Sequence, residues 1–165
     1  MSGRFLIADL HLGHQSAIKF RPQFESLEAM HDCIRTNWNK AVGKKDIVYV
    51  LGDVTGNDNP ASRESLGLLD TFNGRKRLVL GNHDTFDTQT YLKYFERIEH
   101  YTKIGEGYVL SHVPVHPDCL TRWSYNIHGH LHDNPLTDPR YICVSCEQVD
   151  YTPINFEQIK KKVSS

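Results

Sequence analysis

The sequence predicts a mixed α/β fold, and three observations support this prediction. Short apolar runs typical of buried strands alternate with longer segments whose apolar residues recur at helical spacing. The length of 165 residues fits one domain, so we expect residues 1–165 to form a single domain. Three apolar runs end in a small residue followed by a polar side chain. This pattern is typical of α/β sheets, in which functional sites lie at the carboxyl ends of strands.

Six segments have the length and apolar composition of strands. They are residues 4–8, 46–51, 76–80, 108–111, 125–128 and 140–146. The first ends at Asp9, which suggests that it is a short buried strand. The second reads DIVYVL, is rich in β-branched and aromatic residues, and is broken by Gly52. Gly81 ends the third segment in the same way.

Four segments predict helices, namely residues 26–42, 62–72, 88–95 and 155–163. The first is the clearest, because Met30, Ile34 and Trp38 follow one another at steps of four and so share one helical face. Gly43 is a plausible end for this helix. The alternation of these segments with the apolar runs therefore predicts helices packed against sheets.

The composition excludes several classes of protein. The 19 basic and 20 acidic residues give a net charge of -1, which disfavours binding along a long nucleic-acid backbone. No run approaches the roughly 18 apolar residues of a membrane-spanning helix. Four cysteines do not form a dense disulfide framework, so we expect a cytoplasmic protein. The unusual feature is the presence of ten histidines, whose positions carry the functional interpretation.

Two carboxylates follow the first two predicted strands. Asp9 and His11 are two residues apart, so in an extended chain they face the same side and could share a metal ion. Asp53 follows a very apolar strand, where a carboxylate is buried only if it is paired or bound to metal. The alternative for both carboxylates is a helix cap or a turn.

The third strand leads into Gly81-Asn82-His83-Asp84. Glycine and asparagine tolerate left-handed backbone, so this segment could be an ordinary turn. In the functional interpretation, Asn82 is a neutral oxygen ligand and His83 transfers a proton. Asp84 then orients the His83 ring, because a carboxylate beside a catalytic histidine fixes its tautomer.

Histidines follow two later strands. His112 comes directly after residues 108–111 and could be either a buried core residue or a ligand. The segment His128-Gly129-His130-Leu131-His132 places three imidazoles within five residues. Such a group fills a core poorly, whereas neutral imidazoles bind divalent metals readily. This segment is the strongest local indication of a metal site.

Taken in order, the segments D-x-H, G-D, G-N-H-D, H and G-H-x-H resemble the motif series of the calcineurin-like metallophosphoesterase superfamily. The resemblance runs from Asp9 to His132. The opening also resembles a small bacterial and phage branch of single-domain members, through Gly13-His14, Arg21-Pro22-Gln23-Phe24 and Trp38-Asn39. The chain departs from the usual pattern at residues 54–59, which read VTGNDN.

The resemblance implies an α/β fold with two packed mixed β-sheets flanked by helices, arranged as a four-layer sandwich. It implies that His83 acts as general acid or phosphate stabiliser and that Asp84 orients it. It also implies two sets of metal ligands that share Asp53. One set is Asp9, His11, Asp53 and His132, and the other is Asp53, Asn82, His112 and His130.

The function implied by the resemblance is hydrolysis of a phosphoester by attack of a metal-bound hydroxide. The gaps between the motifs are too short to hold a cap domain, so we expect an open site that takes small phosphodiesters, including short or cyclic nucleotides. Two divalent ions are expected, with Mn²⁺ as the first choice and Fe, Zn²⁺ and Ni²⁺ as alternatives, because the ligands are nitrogen and oxygen without thiolate. The alternative functions are phosphomonoesterase, nuclease and non-catalytic protein-binding scaffold. Partners are expected to be small phosphoesters, with neither a membrane nor long nucleic acid. His14 and Arg21 follow the first ligand loop and either contact substrate phosphate or are ordinary surface groups.

Overall fold

The computed structural model describes residues 2–164, and the strands of this part of the chain form two sheets. In chain order the strands are β1 (Arg4–Ile7), β2 (Ile47–Val50), β3 (Arg75–Val79), β4 (Arg97–Glu99), β5 (Tyr101–Lys103), β6 (Tyr108–Ser111), β7 (Tyr125–His128), β8 (Tyr141–Cys143) and β9 (Ile154–Asn155). The first sheet has the order β4-β3-β2-β1-β9, in which only β9 is antiparallel to its neighbour. The second has the order β5-β6-β7-β8, in which only β5 is antiparallel. Both sheets are therefore mixed, and helices flank them, which confirms the predicted fold class.

The α-helices are α1 (Leu27–Ala41), α2 (Pro60–Ser65), α3 (Thr88–Tyr91) and α4 (Phe156–Ser164). Helix α1 begins where the sequence predicts it, because the Ser26 side chain accepts a hydrogen bond from the Ala29 amide and so caps the first turn. Among the helices within residues 2–164, none combines the length and the hydropathy needed to cross a membrane.

Two predicted helices are shorter than expected. Residues 62–72 do not form one helix, because α2 gives way to a 3₁₀ helix at Leu66–Thr71. Gly67 lies at this junction and has a low preference for regular α-helix. Of residues 88–95, only Thr88–Tyr91 form α-helix, and two β-branched threonines occupy that single turn.

The predicted long strand at residues 140–146 is also wrong in its extent. Strand β8 ends at Cys143, and the chain then crosses to the first sheet, where the Val144 carbonyl accepts a hydrogen bond from the Ala8 amide at 2.9 Å. A 3₁₀ helix follows at Cys146–Gln148. The run is buried on both sides of this crossing, so its composition does not show where the chain leaves the second sheet for the first.

Strand β1 packs against two separate cores. Phe5 and Ile7 lie in the cluster that contains Trp38 of α1, whereas Leu6 lies in the cluster that contains Leu110 of β6. Successive side chains of a strand point to opposite faces, so the first sheet is covered by helix on one face and by the second sheet on the other. This packing brings the carboxyl ends of β1, β2, β6 and β7 to the junction between the two sheets.

Candidate metal centre

The polar residues singled out in the sequence come together at the ends of parallel strands. Asp9, Asp53 and Asn82 follow β1, β2 and β3 of the first sheet, and their strands run in the same direction. The second sheet contributes histidines that follow β6 and β7. The centre therefore forms at one edge of both sheets, as expected for an α/β protein.

Most of these residues have unusual backbone conformations. Within residues 2–164, seven non-glycine residues have positive φ, and five of the seven are predicted ligands. A non-glycine residue in the left-handed region is uncommon and is found mainly where function requires it. This backbone conformation changes the chain direction sharply, so that the side chains of neighbouring motif residues point toward the same space. The five are Asp9 (φ 59°), His11 (50°), Asp53 (54°), His130 (70°) and His132 (50°).

Asp9, His11 and His132 form the first group of possible ligands. One ligand atom from each lies within 4.8 Å of the others. The Asp9 carboxylate is fully buried and also accepts the His130 backbone amide at 3.0 Å. Burial raises the pKa of Asp9 to about 6, so a bound cation would relieve an unfavourable buried charge.

Asp53, His112 and His130 form the second group, again with one ligand atom each within 4.8 Å. The side-chain oxygen of Asn82 lies 2.9 Å from Nε2 of His112 and 2.9 Å from Nδ1 of His130. Asn82 therefore places a neutral oxygen beside this group.

Asp53 lies between the two groups. Its Oδ2 is 3.8 Å from Nε2 of His11 and 3.4 Å from Nε2 of His112. Burial alone would raise the pKa of Asp53, but the hydrogen bond and charge of His112 and the amide of His83 lower it to about 2. The position and charge of this carboxylate suit a ligand shared by two cations.

Two further features of the structure fit a metal centre. Nε2 of His11 is buried and has no hydrogen-bond partner, which is costly unless a ligand occupies that position. Burial also lowers the pKa of His11 to about 3, which keeps the imidazole in the neutral form that binds metal. Gly81 is needed beside the centre, since a Cβ there would collide with Oδ1 of Asp53. The nitrogen and oxygen donors suit Mn²⁺, Fe and Zn²⁺.

Two of the histidines have one ring nitrogen fixed by a group outside the ligand sets. Nδ1 of His112 donates to the Leu51 carbonyl at 2.7 Å, which leaves Nε2 for the second group. Nδ1 of His132 lies 3.1 Å from Oε1 of Glu147, which leaves Nε2 facing Asp9 at 3.9 Å. Glu147 was not identified from the sequence, although it follows the apolar run at residues 140–146 as the other site residues follow theirs.

Arg21 lies beneath the centre, where its side chain is 1% exposed. It donates to the Asp9 carbonyl at 2.6 Å and to Glu147 at 2.8 Å. Arg21 is not an ordinary surface group, because a buried acidic partner holds the guanidinium inward. Arg21 also lines the cavity described below, so its contact with substrate stays a prediction. Burial alone would raise the pKa of Glu147, but the hydrogen bonds and charges of His132 and Arg21 lower it to about 2.

The His83 ring stands beside the first group, with its centroid 5.5 Å from that of His11. Nδ1 of His83 lies 3.0 Å from Oδ1 of Asn57, a residue of the VTGNDN loop that the sequence did not single out. The Asp84 carboxylate instead accepts the backbone amides of Asp53, at 2.8 Å, and of Val54, at 3.0 Å. The prediction that Asp84 orients His83 is therefore corrected, because Asp84 holds the loop that carries Asp53.

The centre opens into a cavity of about 540 Å³. His14 lines this cavity, with Nδ1 3.0 Å from Nδ1 of His11 and its ring 5.6 Å from that of His83. His128 is fully buried away from the ligand sets and contacts the Gly129 carbonyl at 2.7 Å. The cavity gives a small molecule access to His11, His83, His130 and His132.

Comparison with known proteins identifies relatives of this chain. A family model described as calcineurin-like phosphoesterase matches residues 5–161. An uncharacterized protein of Methanocaldococcus jannaschii is 35% identical, over 96% of this chain and 90% of the relative. The gene 66 protein of Mycobacterium phage L5 is 29% identical, over 86% of this chain and 83% of its own.

Two solved structures have a similar fold. A protein of unknown function from Aquifex aeolicus superposes with a TM-score of 0.78 and 30% identity, covering 98% of this chain and 100% of that one. The Pseudomonas putida nuclease MPE superposes with a TM-score of 0.55 and 18% identity, covering 78% of this chain and 61% of that one. At this lower identity the similarity concerns the fold alone.

Proposed function

This chain belongs to the calcineurin-like phosphoesterase family, and from that premise we propose that it hydrolyses small phosphodiesters with the aid of two divalent cations. The observation that carries the proposal is the pair of ligand groups that meet at Asp53. We propose Asp9, His11, Asp53 and His132 as ligands of one cation, and Asp53, Asn82, His112 and His130 as ligands of the other. Mn²⁺ is the expected ion at both positions.

The charges of the ligand sets support phosphate as the substrate group. Two divalent ions bring a charge of +4, of which Asp9 and Asp53 neutralise two. A net positive centre at the bottom of an accessible cavity attracts a phosphate anion. When bound, the two cations would stabilise the attacking and leaving oxygens and supply a water nucleophile at neutral pH.

The residues beside the ligands would position and protonate the substrate. His83 lines the cavity, and its contact with Asn57 leaves Nε2 as the nitrogen available to exchange a proton. We propose that His83 stabilises the phosphate or protonates the leaving oxygen, and that His14, whose ring lies beside that of His83, also contacts the substrate. Asp84 and Arg21 would position two of the ligands. Asp84 accepts the backbone amide of Asp53, and Arg21 donates to the backbone carbonyl of Asp9.

The proposal is tested with a substrate panel assayed with added Mn²⁺ and after removal of metal by EDTA. The panel contains phosphomonoesters, linear diesters, cyclic nucleotides and dinucleotides. We expect hydrolysis of small diesters that chelation abolishes and Mn²⁺ restores. Full turnover by the metal-free protein would contradict the proposal, and faster turnover of monoesters would favour the phosphatase alternative.

The nuclease alternative is tested in the same assay. Duplex or single-stranded DNA is added to a small-diester reaction at about 50 mM and about 200 mM salt, because binding to several phosphates weakens steeply over this range. The net charge of -1 favours weak competition at both salt concentrations. Strong inhibition at the lower salt concentration, together with cleaved DNA, would favour the nuclease.

A further inference from the structure

The cavity at the metal centre is larger than the ligand groups require. Its volume of about 540 Å³ lies within the roughly 300–1,000 Å³ of small-molecule sites. Its inner wall is formed by predicted ligands. Its outer wall is formed by residues to which no metal or catalytic role is assigned, which are Ser16, Ala17, Phe20, Leu131, Asp133 and Asn134.

Phe20 is the unusual residue of the outer wall. Its side chain is 82% exposed, which makes it the most exposed of the large apolar side chains within residues 2–164. Phe20 ends the 3₁₀ helix Gln15–Phe20, and the next residue, Arg21, is buried and bonded to the Asp9 carbonyl. The exposed ring is therefore attached to a fixed point of the metal centre, and it lines the cavity that opens from that centre.

The opposite side of the outer wall is fixed in the same way. Leu131 stands between the predicted ligands His130 and His132 in the chain, and all three line the cavity. The Asn134 amide donates to the Leu131 carbonyl at 2.8 Å, which closes a turn over this segment. The outer cavity thus combines an aromatic face and an aliphatic side chain with the polar groups of Ser16, Asp133 and Asn134.

We propose that Phe20 is the stacking surface of a nucleobase subsite, in which the base of a nucleotide lies in the outer cavity while its phosphate lies at the ligand groups. This inference rests on the phosphoesterase function proposed above. A flat heterocycle with polar edges matches the mixed lining, because its face contacts Phe20 and Leu131 while its edge reaches hydrogen-bonding groups. An acyl chain would make no use of the polar side chains of the outer wall, and a bare phosphate would not use the aromatic ring.

The test compares two phosphates that differ only in the nucleoside. Binding of adenosine 5′-monophosphate and of methyl phosphate to the Mn²⁺-loaded protein is measured by calorimetry, and free phosphate is monitored to detect hydrolysis. We expect the wild-type protein to prefer the nucleotide. Phe20→Ala should reduce this preference about tenfold, the size expected from the loss of one aromatic–base stack. Phe20→Trp should retain it.

Tyr101→Ala is the matched control, because Tyr101 is 63% exposed on strand β5 and does not line the cavity. It should leave the preference unchanged. Equal affinities of the wild-type protein for the two phosphates, or an unchanged preference in Phe20→Ala, would overturn the subsite while leaving the phosphoesterase proposal intact. Failure to bind either phosphate, together with no hydrolysis of the substrate panel, would overturn both.

Discussion

In both His112 and His132, one ring nitrogen contacts a group outside the metal centre and the other points into the centre. For His112 the outer contact is the Leu51 carbonyl at 2.7 Å, and for His132 it is Glu147 at 3.1 Å. Such contacts fix the tautomer and the ring orientation before a cation arrives. His83 differs, because its outer contact is Asn57 and its ring belongs to neither ligand group.

This difference predicts separate effects for two substitutions. Asp53→Asn removes the carboxylate between the two groups and should reduce both metal content and rate. His83→Ala should keep the metal and lose rate by roughly 10²–10⁴-fold, as expected for a positioned acid or base. Metal analysis and kcat measure the two effects. His100→Ala, at an exposed position between β4 and β5, is the control. A metal-free His83→Ala protein beside a metal-loaded Asp53→Asn protein would reverse the assigned roles.

The residues that follow strands could be predicted from the sequence, because a carboxylate or imidazole directly after an apolar run is a local pattern. Partners that meet only in the fold could not be predicted in this way. Arg21 and Glu147 are 126 positions apart, and His83 and Asn57 are 26 apart. A basic residue near a ligand loop has the same local sequence whether it faces substrate or a buried carboxylate, so Arg21 was assigned to the surface or to substrate.

At the scale of elements, two short 3₁₀ helices form the floor beneath the first ligand group. Arg21 directly follows the helix Gln15–Phe20, and Glu147 lies within the helix Cys146–Gln148. Their ion pair is 2.8 Å long and largely buried. Through it, the Asp9 carbonyl and the His132 ring are held by one pair of charges.

Loss of the charge on Glu147 should weaken one metal site selectively. Glu147→Gln keeps the size of the side chain but removes the negative charge that faces Arg21 and Nδ1 of His132. We expect the affinity of the first ligand group for Mn²⁺ to fall about 10–100-fold, as is typical when such an outer contact is lost. The second group should keep its affinity, because Leu51 and Asn82 support it.

Titration of the metal-free variant with Mn²⁺ resolves the two sites. Glu64→Gln changes the same side chain at an exposed position of α2 and should match the wild-type protein. An equal loss of affinity at both sites would indicate general destabilisation and would contradict a positioning role for Glu147.

The elements themselves were predictable in proportion to their length. Helix α1 spans four turns, so its apolar face and its Ser26 cap define it within a residue. Strands β4, β5 and β9 contain two or three residues each, which is too short for an alternating pattern to be recognised. Strand β8 was extended too far, because Val144 and Cys146 are apolar and buried while the chain passes from the second sheet to the first.

At the scale of the whole molecule, each ligand group joins the two sheets. Asp9 and His11 come from the first sheet and are completed by His132 of the second, whereas Asp53 is completed by histidines that follow β6 and β7. The hydrophobic cores lie behind this junction and contain most of the buried apolar surface. Bound cations would therefore stabilise a protein that is already folded.

Removal of metal should leave the fold intact and lower its melting temperature. At a free Mn²⁺ concentration of 100 times Kd, binding at one site adds about 2.7 kcal/mol to the free energy of unfolding. For a chain of this length that corresponds to an increase of roughly 5–11 °C in Tm. Circular dichroism at low and high temperature, with EDTA and with Mn²⁺, measures both quantities. A random-coil spectrum after chelation would show that the metals are required for folding. The Asp53→Asn variant is the control, and its Tm should be the same with EDTA as with Mn²⁺.

The left-handed backbone at five of the proposed ligands has a consequence for how this sequence can change over time. Each such residue costs about 1–3 kcal/mol relative to a relaxed conformation, and glycine would adopt the same φ without that cost. At His11, glycine would remove both that cost and an unpartnered buried ring nitrogen. At Asp9 or Asp53, glycine would also leave the amide of His130 or of His83 without its carboxylate acceptor. His11 is therefore the ligand that we expect to be lost first in a relative that no longer needs the metal centre, while the apolar strand before it persists.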